Sequence, residues 1–173
     1  MTEFCNTYHS PLGDIVLMSD GLSLTGLRFF NSDKFNVDTL TGPCSQLSHC
    51  QLVNLPTSII ESVRWLDLFF SGQKPEVNKG MPIRMQGTPF QQRVWRELMN
   101  VSYGKTTTYG EIARRVGCRS AQAVGQAIGR NPIAIIIPCH RVVGSDGSLT
   151  GYAYGIDIKR KLLELEGVFI APF

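Results

Sequence analysis

The chain has no apolar run near the length of a membrane span, and no charged-then-apolar signal pattern follows Met1. These absences lead us to expect a cytoplasmic protein with no membrane partner. Charge is modest: Asp, Glu, Lys and Arg make up 18% of residues, with 17 basic against 14 acidic and a net charge of +3. That balance permits an anionic partner such as nucleic acid without requiring one. The five cysteines, Cys5, Cys44, Cys50, Cys118 and Cys139, are odd in number and show no zinc-ribbon spacing. In a chain without a secretory signal they read as reduced thiols. Cys5 with His9, and His49 with Cys50, would supply four soft metal ligands. The pairs lie far apart and neither has a finger spacing, so scattered thiols are preferred and no metal or cofactor is expected.

What is present is enough apolar residue for a core. A hydrophobic share of 43% in 173 residues supports one ordinary domain or two small ones. The first third reads as strands: 4–9, 14–19 and 22–29, separated by the turn signals Ser10-Pro11-Leu12-Gly13 and Asp20-Gly21. Residues 31–55 are weakly patterned and read as an irregular connection. Ile59, Ile60, Val63, Leu66 and Phe70 then recur at helical spacing and predict a helix over 57–70. A last short strand is expected over 81–85, and a domain boundary near Gly87.

The second half reads as a series of capped helices. Thr88-Pro89-Phe90-Gln91 and Thr108-Tyr109-Gly110-Glu111 are both capping boxes, and Ser120 caps a third helix that Asn131-Pro132 must break. Phe90, Val94, Leu98 and Met99 are expected as the buried stripe of the first, and Ile112, Ala113 and Val116 as the inward face of the second. Two short helices around Gly117-Cys118-Arg119 form a helix-turn-helix pattern, which many helical cores also contain. The third helix, Ala121 to Gly129, is built almost wholly of small residues, and each interior glycine costs about 1 kcal/mol of helix stability relative to alanine. Small residues serve either tight helix–helix packing or close approach to a nucleic-acid groove.

The most informative stretch is Ile133-Ala134-Ile135-Ile136-Ile137-Pro138-Cys139-His140-Arg141-Val142-Val143-Gly144. An apolar run enters the interior, stops at proline, and is followed by a thiol and an imidazole. A free thiol, with a pKa of about 8.5, is mostly protonated at neutral pH and needs a base or a positive field to become a nucleophile. A buried packing cysteine is the ordinary alternative.

These residues, together with Gly87-Thr88-Pro89-Phe90-Gln91-Gln92-Arg93-Val94-Trp95, Tyr103-Gly104-Lys105-Thr106-Thr107-Thr108-Tyr109-Gly110, Ala123-Val124-Gly125 and Arg130-Asn131-Pro132, occur in the order found in O6-alkylguanine-DNA alkyltransferases. The chain resembles that family, also called methylated-DNA–protein-cysteine methyltransferases, specifically over about its last 90 residues and only in general layout before them. The resemblance implies an α/β (α+β) N-terminal ribonuclease-H-like domain over residues 1–86. It implies a mostly helical, winged helix-turn-helix-like C-terminal domain over residues 87–173.

It also implies an activity: irreversible, stoichiometric transfer of an alkyl group from O6-alkylguanine in DNA to Cys139, with O4-alkylthymine left open as a second lesion. In that scheme His140 deprotonates Cys139 through a water, Glu166 orients His140, Asn131 braces the active-site turn, and Tyr109 protonates the departing guanine. The nucleophile–base–carboxylate logic is a general one. A minor-groove complex with double-stranded alkylated DNA, bound by a monomer, is implied, with the target base flipped out. Ala121, Gln122 and Gly125 would lie against the DNA, with Arg119, Arg130 and Ser145 as phosphate contacts. Val142, Tyr152, Ala153 and Tyr154 would line the alkyl and guanine pocket.

The chain departs from the family at two places. Gln122 stands where relatives usually carry an arginine that fills the vacated base position, and Tyr154 where most have glycine. Weaker DNA attraction and a narrowed pocket are therefore expected. Other readings are a non-catalytic lesion-binding protein, which retention of Cys139 argues against, a methylation-switched regulator, and a cysteine hydrolase.

Overall fold

The computed structural model describes residues 4–30, 55–77 and 81–169, which form two compact units, 1–85 and 86–173. In the first, β1 (Phe4–Ser10), β2 (Gly13–Ser19) and β3 (Leu24–Phe29) make an antiparallel sheet in that order. Ser10 pairs with Gly13, so β1 and β2 are joined by a two-residue turn; Gly13 has φ 116°, a conformation that favours glycine. Helix α1 (Thr57–Phe70) packs its apolar stripe of Ile59, Leu66 and Phe69 with Ile15, Leu17, Leu27 and Phe29, all fully buried or nearly so. The strand expected over 81–85 is reduced to a single parallel bridge, Leu24 with Ile83. Ile83 is flanked by Pro82, which lacks the N–H that a longer ladder would use.

The cysteine expectation needs one correction: Cys5 is disulfide-bonded. Spacing along the sequence does not by itself reveal a disulfide. Cys44, His49 and Cys50 lie outside the described residues. Among the described residues His9 is bonded to Asp14 at 2.7 Å, and no group of three potential metal ligands occurs. No helix among them is long and apolar enough to cross a membrane.

In the second unit, α2 (Pro89–Leu98) and α3 (Tyr109–Arg115) each begin in a complete capping box, on Thr88 with Gln91 and on Thr108 with Glu111. The buried stripe of α2 is Val94, Trp95 and Leu98; Phe90 and Met99 are only half-buried. Trp95 takes the central place because its indole N–H has a partner there, the carbonyl of Ala127 on α4 (Ala121–Gly129) at 2.8 Å. Gly117, at φ 70°, makes the tight turn between α3 and α4. A short parallel pair, β4 (Thr107–Thr108) with β5 (Val142–Val143), and α5 (Ile156–Leu165) complete the unit.

Candidate active site

The isoleucine run folds into consecutive tight turns, every residue buried: Ile136 donates to Ala134 at 2.7 Å, Ile137 to Ile133 at 3.0 Å and Cys139 to Ile137 at 2.8 Å. Ile135 sits at φ 66°, which is costly for a β-branched residue. What holds it there is Asn131. Its side-chain oxygen accepts from the Ile133 N–H at 3.0 Å and its amide donates to the Ile137 carbonyl at 2.8 Å. One side chain therefore clasps both ends of the strained turn and delivers Cys139 to a single 3-10 turn, Cys139–Arg141.

His140 is fully buried, and its Nε2 lies 2.7 Å from Glu166 Oε1. An ionised carboxylate only accepts, so Nε2 carries the proton and Nδ1 is left as the basic nitrogen. Burial keeps the imidazole neutral by lowering its pKa, with Glu166 opposing. Burial works to raise the Glu166 carboxyl as well, yet hydrogen bonds and charge from His140 and Arg141 hold it at about 2. Arg141 grips Glu166 through Nε at 2.9 Å and Nη2 at 2.9 Å, and Gly104 N–H donates to Oε2 at 2.9 Å. The Arg141 guanidinium also donates to the Val101 carbonyl and stacks over the Tyr103 ring. Glu166 is thus ionised and fixed before it acts on His140.

Cys139 is buried, and burial pushes its thiol up; the Asn131 amide and the Lys159 ammonium pull the other way. The Tyr152 hydroxyl is buried close enough to Cys139 to feel its charge; burial first, and then that charge, push the phenol well above its usual range. Tyr154 packs edge-on against Tyr152, with ring centroids 5.5 Å apart. Tyr109 donates to the Thr150 carbonyl at 3.0 Å, and burial raises its phenol, so it is a neutral proton donor near neutral pH.

A cleft of about 630 Å³ lies between α4 and the loop 150–153. It brings together Tyr109, Ala121, Gln122, Gly125, Tyr152 and Ala153 from the sequence-derived set. Arg119, Arg130 and Ser145 are exposed outside its lining, and Val142 is buried in β5, paired with Thr107. The two α4 glycines are not needed for helix packing. A Cβ at Gly129 would meet nothing within 4 Å, and one at Gly125 only the Tyr109 ring at 3.6 Å. The small face of α4 is turned to the cleft instead.

Arg141, Gly104 and Lys159 are site residues to which sequence reasoning assigned no role. For Lys159 a signal exists: Ile156, Lys159, Leu162, Leu163 and Glu166 recur at helical spacing, which places a lysine and a glutamate on the apolar stripe of α5.

Comparison with known proteins covers both units. A family model described as 6-O-methylguanine DNA methyltransferase, ribonuclease-like domain, matches residues 4–84, and one described as the DNA binding domain of the same family matches residues 89–168. A methylated-DNA–protein-cysteine methyltransferase of Mycobacterium tuberculosis is 42% identical over 161 residues, 92% of this chain and 90% of its own length. The crystal structure of the O6-methylguanine methyltransferase of that organism superposes with a TM-score of 0.81 at 40% identity, covering 99% of this chain and 96% of the other. A structure of the same organism's OGT in complex with DNA gives 0.76 at 42% identity, with 94% and 91% covered.

Proposed function

The chain belongs to the 6-O-methylguanine DNA methyltransferase family, and from that premise we infer that it is a DNA-repair methyltransferase that takes the alkyl group of O6-alkylguanine onto Cys139. The observation that carries the assignment of the acceptor is the buried Cys139–His140–Glu166 arrangement beside a cleft walled by the small-residue face of α4.

The chemistry follows from the charges. Neutral His140, with its Nε2 proton held by Glu166, accepts the thiol proton at Nδ1 through a water. The thiolate attacks the alkyl carbon, forming the S–C bond as the C–O6 bond breaks. The electron pair of that bond leaves on the guanine, which regains neutrality by taking a proton from Tyr109. The Tyr109 hydroxyl sits at the cleft, fixed by the Thr150 carbonyl, where a flipped guanine would meet it. The thioether product is not an activated intermediate, so one protein molecule repairs one lesion.

The cleft volume falls in the range that encloses a small ligand, which suits an extruded base. Ala121, Gln122 and Gly125 along α4 would approach the minor groove, with Arg119, Arg130 and Ser145 on the exposed periphery meeting phosphates. In this reading the protein binds alkylated duplex DNA as a monomer. Tyr154, braced on Tyr152, would limit the alkyl group that the pocket accepts.

The test is incubation with duplex DNA carrying a labelled O6-methyl group, followed by peptide mass mapping. One methyl on the Cys139 peptide, at most one per molecule and none in Cys139→Ala, is expected. Turnover beyond one equivalent, or label on another residue, overturns the assignment.

A further inference from the structure

We propose that Gln126 on α4 is a specificity-determining residue: from the cleft face of the helix its amide reads the minor-groove edge of a base pair beside the lesion and favours G·C over A·T. The proposal rests on the reading that α4 enters the minor groove of alkylated DNA, and it adds a sequence preference to that reading.

Of the α4 residues that line the cleft, only Gln122 and Gln126 carry polar side chains. Both are exposed, and neither amide has a hydrogen-bond partner among the described residues. Around Gln126 the helix is bare. Gly125 precedes it, and Gly129 lies one turn on, where an added Cβ would meet nothing within 4 Å. A groove that closes on this face therefore reaches nearly to the backbone, with the Gln126 side chain as the long group between them. Gln126 follows Gln122 by four residues, hence on the same face and about 6 Å further along the axis, close to two base steps of about 3.4 Å. With Gln122 at the place of the flipped guanine, Gln126 meets a base pair within two steps of it.

The groove floor decides what the amide prefers. An A·T pair presents only acceptors there, whereas a G·C pair adds the guanine N2 amino donor. The Gln126 NH2 group donates to an acceptor of either pair. Its carbonyl oxygen, covered by the groove floor, finds a donor only at guanine N2. At A·T that oxygen gives up its water without a replacement, which disfavours the complex. The reading uses no charge, so it is separate from the salt-dependent attraction of lysine and arginine to phosphates.

The test is the rate of methyl transfer to Cys139 from duplexes with O6-methylguanine at a fixed place and G·C, A·T or I·C, in either orientation, at each of the two positions on both sides. Inosine differs from guanosine only in lacking the N2 amino group. For wild type, one position should show G·C reacting at least about threefold faster than both A·T and I·C, the size of one hydrogen bond. Weaker pairing at I·C eases base flipping, so that effect alone has the opposite sign. Gln126→Ala should equalise G·C and I·C at that position. Alanine is the better helix former at an exposed site, so the variant keeps the fold. Equal wild-type rates on the three neighbours, or a G·C preference that persists in Gln126→Ala, overturns the proposal. Failure of the repair reading is separate, since Cys139 would then stay unmethylated on every duplex.

Discussion

Replacing Glu166 by glutamine tests the core of the site, because the carboxylate holds His140, Arg141 and Gly104 at once. Glutamine keeps the shape and one acceptor oxygen but removes the charge, leaving the Arg141 guanidinium, 8% exposed, without a counter-ion. Breaking a buried ion pair from one side costs about 3–5 kcal/mol. A second route gives the same size. The carboxyl is held at about 2 against an ordinary 4.5, and about 2.5 pH units at 1.36 kcal/mol each is about 3 kcal/mol. Against a typical 5–15 kcal/mol for a domain this is a large share.

The sign with pH follows from linkage. A carboxyl whose folded pKa is depressed contributes fully above about 4.5 and loses its contribution as pH falls through about 2. The deficit of Glu166→Gln should therefore be greatest near neutrality and shrink across that acid window. Urea unfolding read by Trp95 fluorescence in a Trp65→Phe background measures it. Arg141→Met added to Glu166→Gln should recover much of the loss, because neither charge is then left alone. A Glu166→Gln protein within about 1 kcal/mol of wild type at pH 7, or a double variant no better than the single, would refute the reasoning.

Asn131→Ala should cost about 1–3 kcal/mol by unfolding, since it orphans the buried Ile133 N–H and removes one of the two bonds to the Ile137 carbonyl, which keeps the Cys139 N–H; it should also slow Cys139 alkylation by releasing the strained turn. Gln122→Arg, on the cleft face of α4, should tighten DNA binding and steepen its salt dependence by about one counter-ion; an unchanged slope in a salt titration counts against a DNA contact there. Tyr154→Gly should raise the rate with O6-benzylguanine relative to O6-methylguanine, because it removes the ring braced on Tyr152; an unchanged ratio of the two rates would place Tyr154 outside the pocket. Lys159→Met should raise the melting temperature at pH 7. The native state carries a cost of about 3 kcal/mol for an amine depressed from 10.5 to about 8, partly offset by its lost hydrogen bond. That gain should fade as pH rises from 8 to 10.5, where wild type no longer needs to protonate a buried amine.

Much of the scaffold was legible because its signals are local. The helix over 57–70, both capping boxes and the Ser120 cap all stand where propensity and spacing place them. What was not legible depends on partners distant in sequence. In the stripe of α2, spacing places Val94 and Leu98 inside, as found, but it also predicts Phe90 and Met99 and passes over Trp95, because only the Ala127 carbonyl makes an interior place for the indole. The run 133–137 was readable as buried, but its turns were not. No β-branched residue announces a positive φ, and Ile135 adopts one only because Asn131 holds the chain from outside. Residues 81–85 have strand-like apolar content, but Pro82 leaves one bridge. The place of Lys159 on the apolar stripe of α5 is legible in the spacing of Ile156, Leu162 and Leu163.

The parts that were hard to read are the ones that cost stability, and they lie together. A strained isoleucine, a buried lysine to which no carboxylate pairs among the described residues and an Arg–Glu pair under a neutral histidine all belong to the unit that holds Cys139. An apolar core of the same volume would be as stable or more so, since buried ion pairs often lose to hydrophobic packing. A chain that reacts once gains nothing from easy product release. Its requirement is a sulfur poised before the lesion arrives, and fixed charges supply this because they need no reorganisation at the moment of attack. The fold concentrates that burden within the second unit, where hydrophobic burial of Leu98, Ile112 and Leu162, at about 1.5–3 kcal/mol per large aliphatic side chain, is available to offset it.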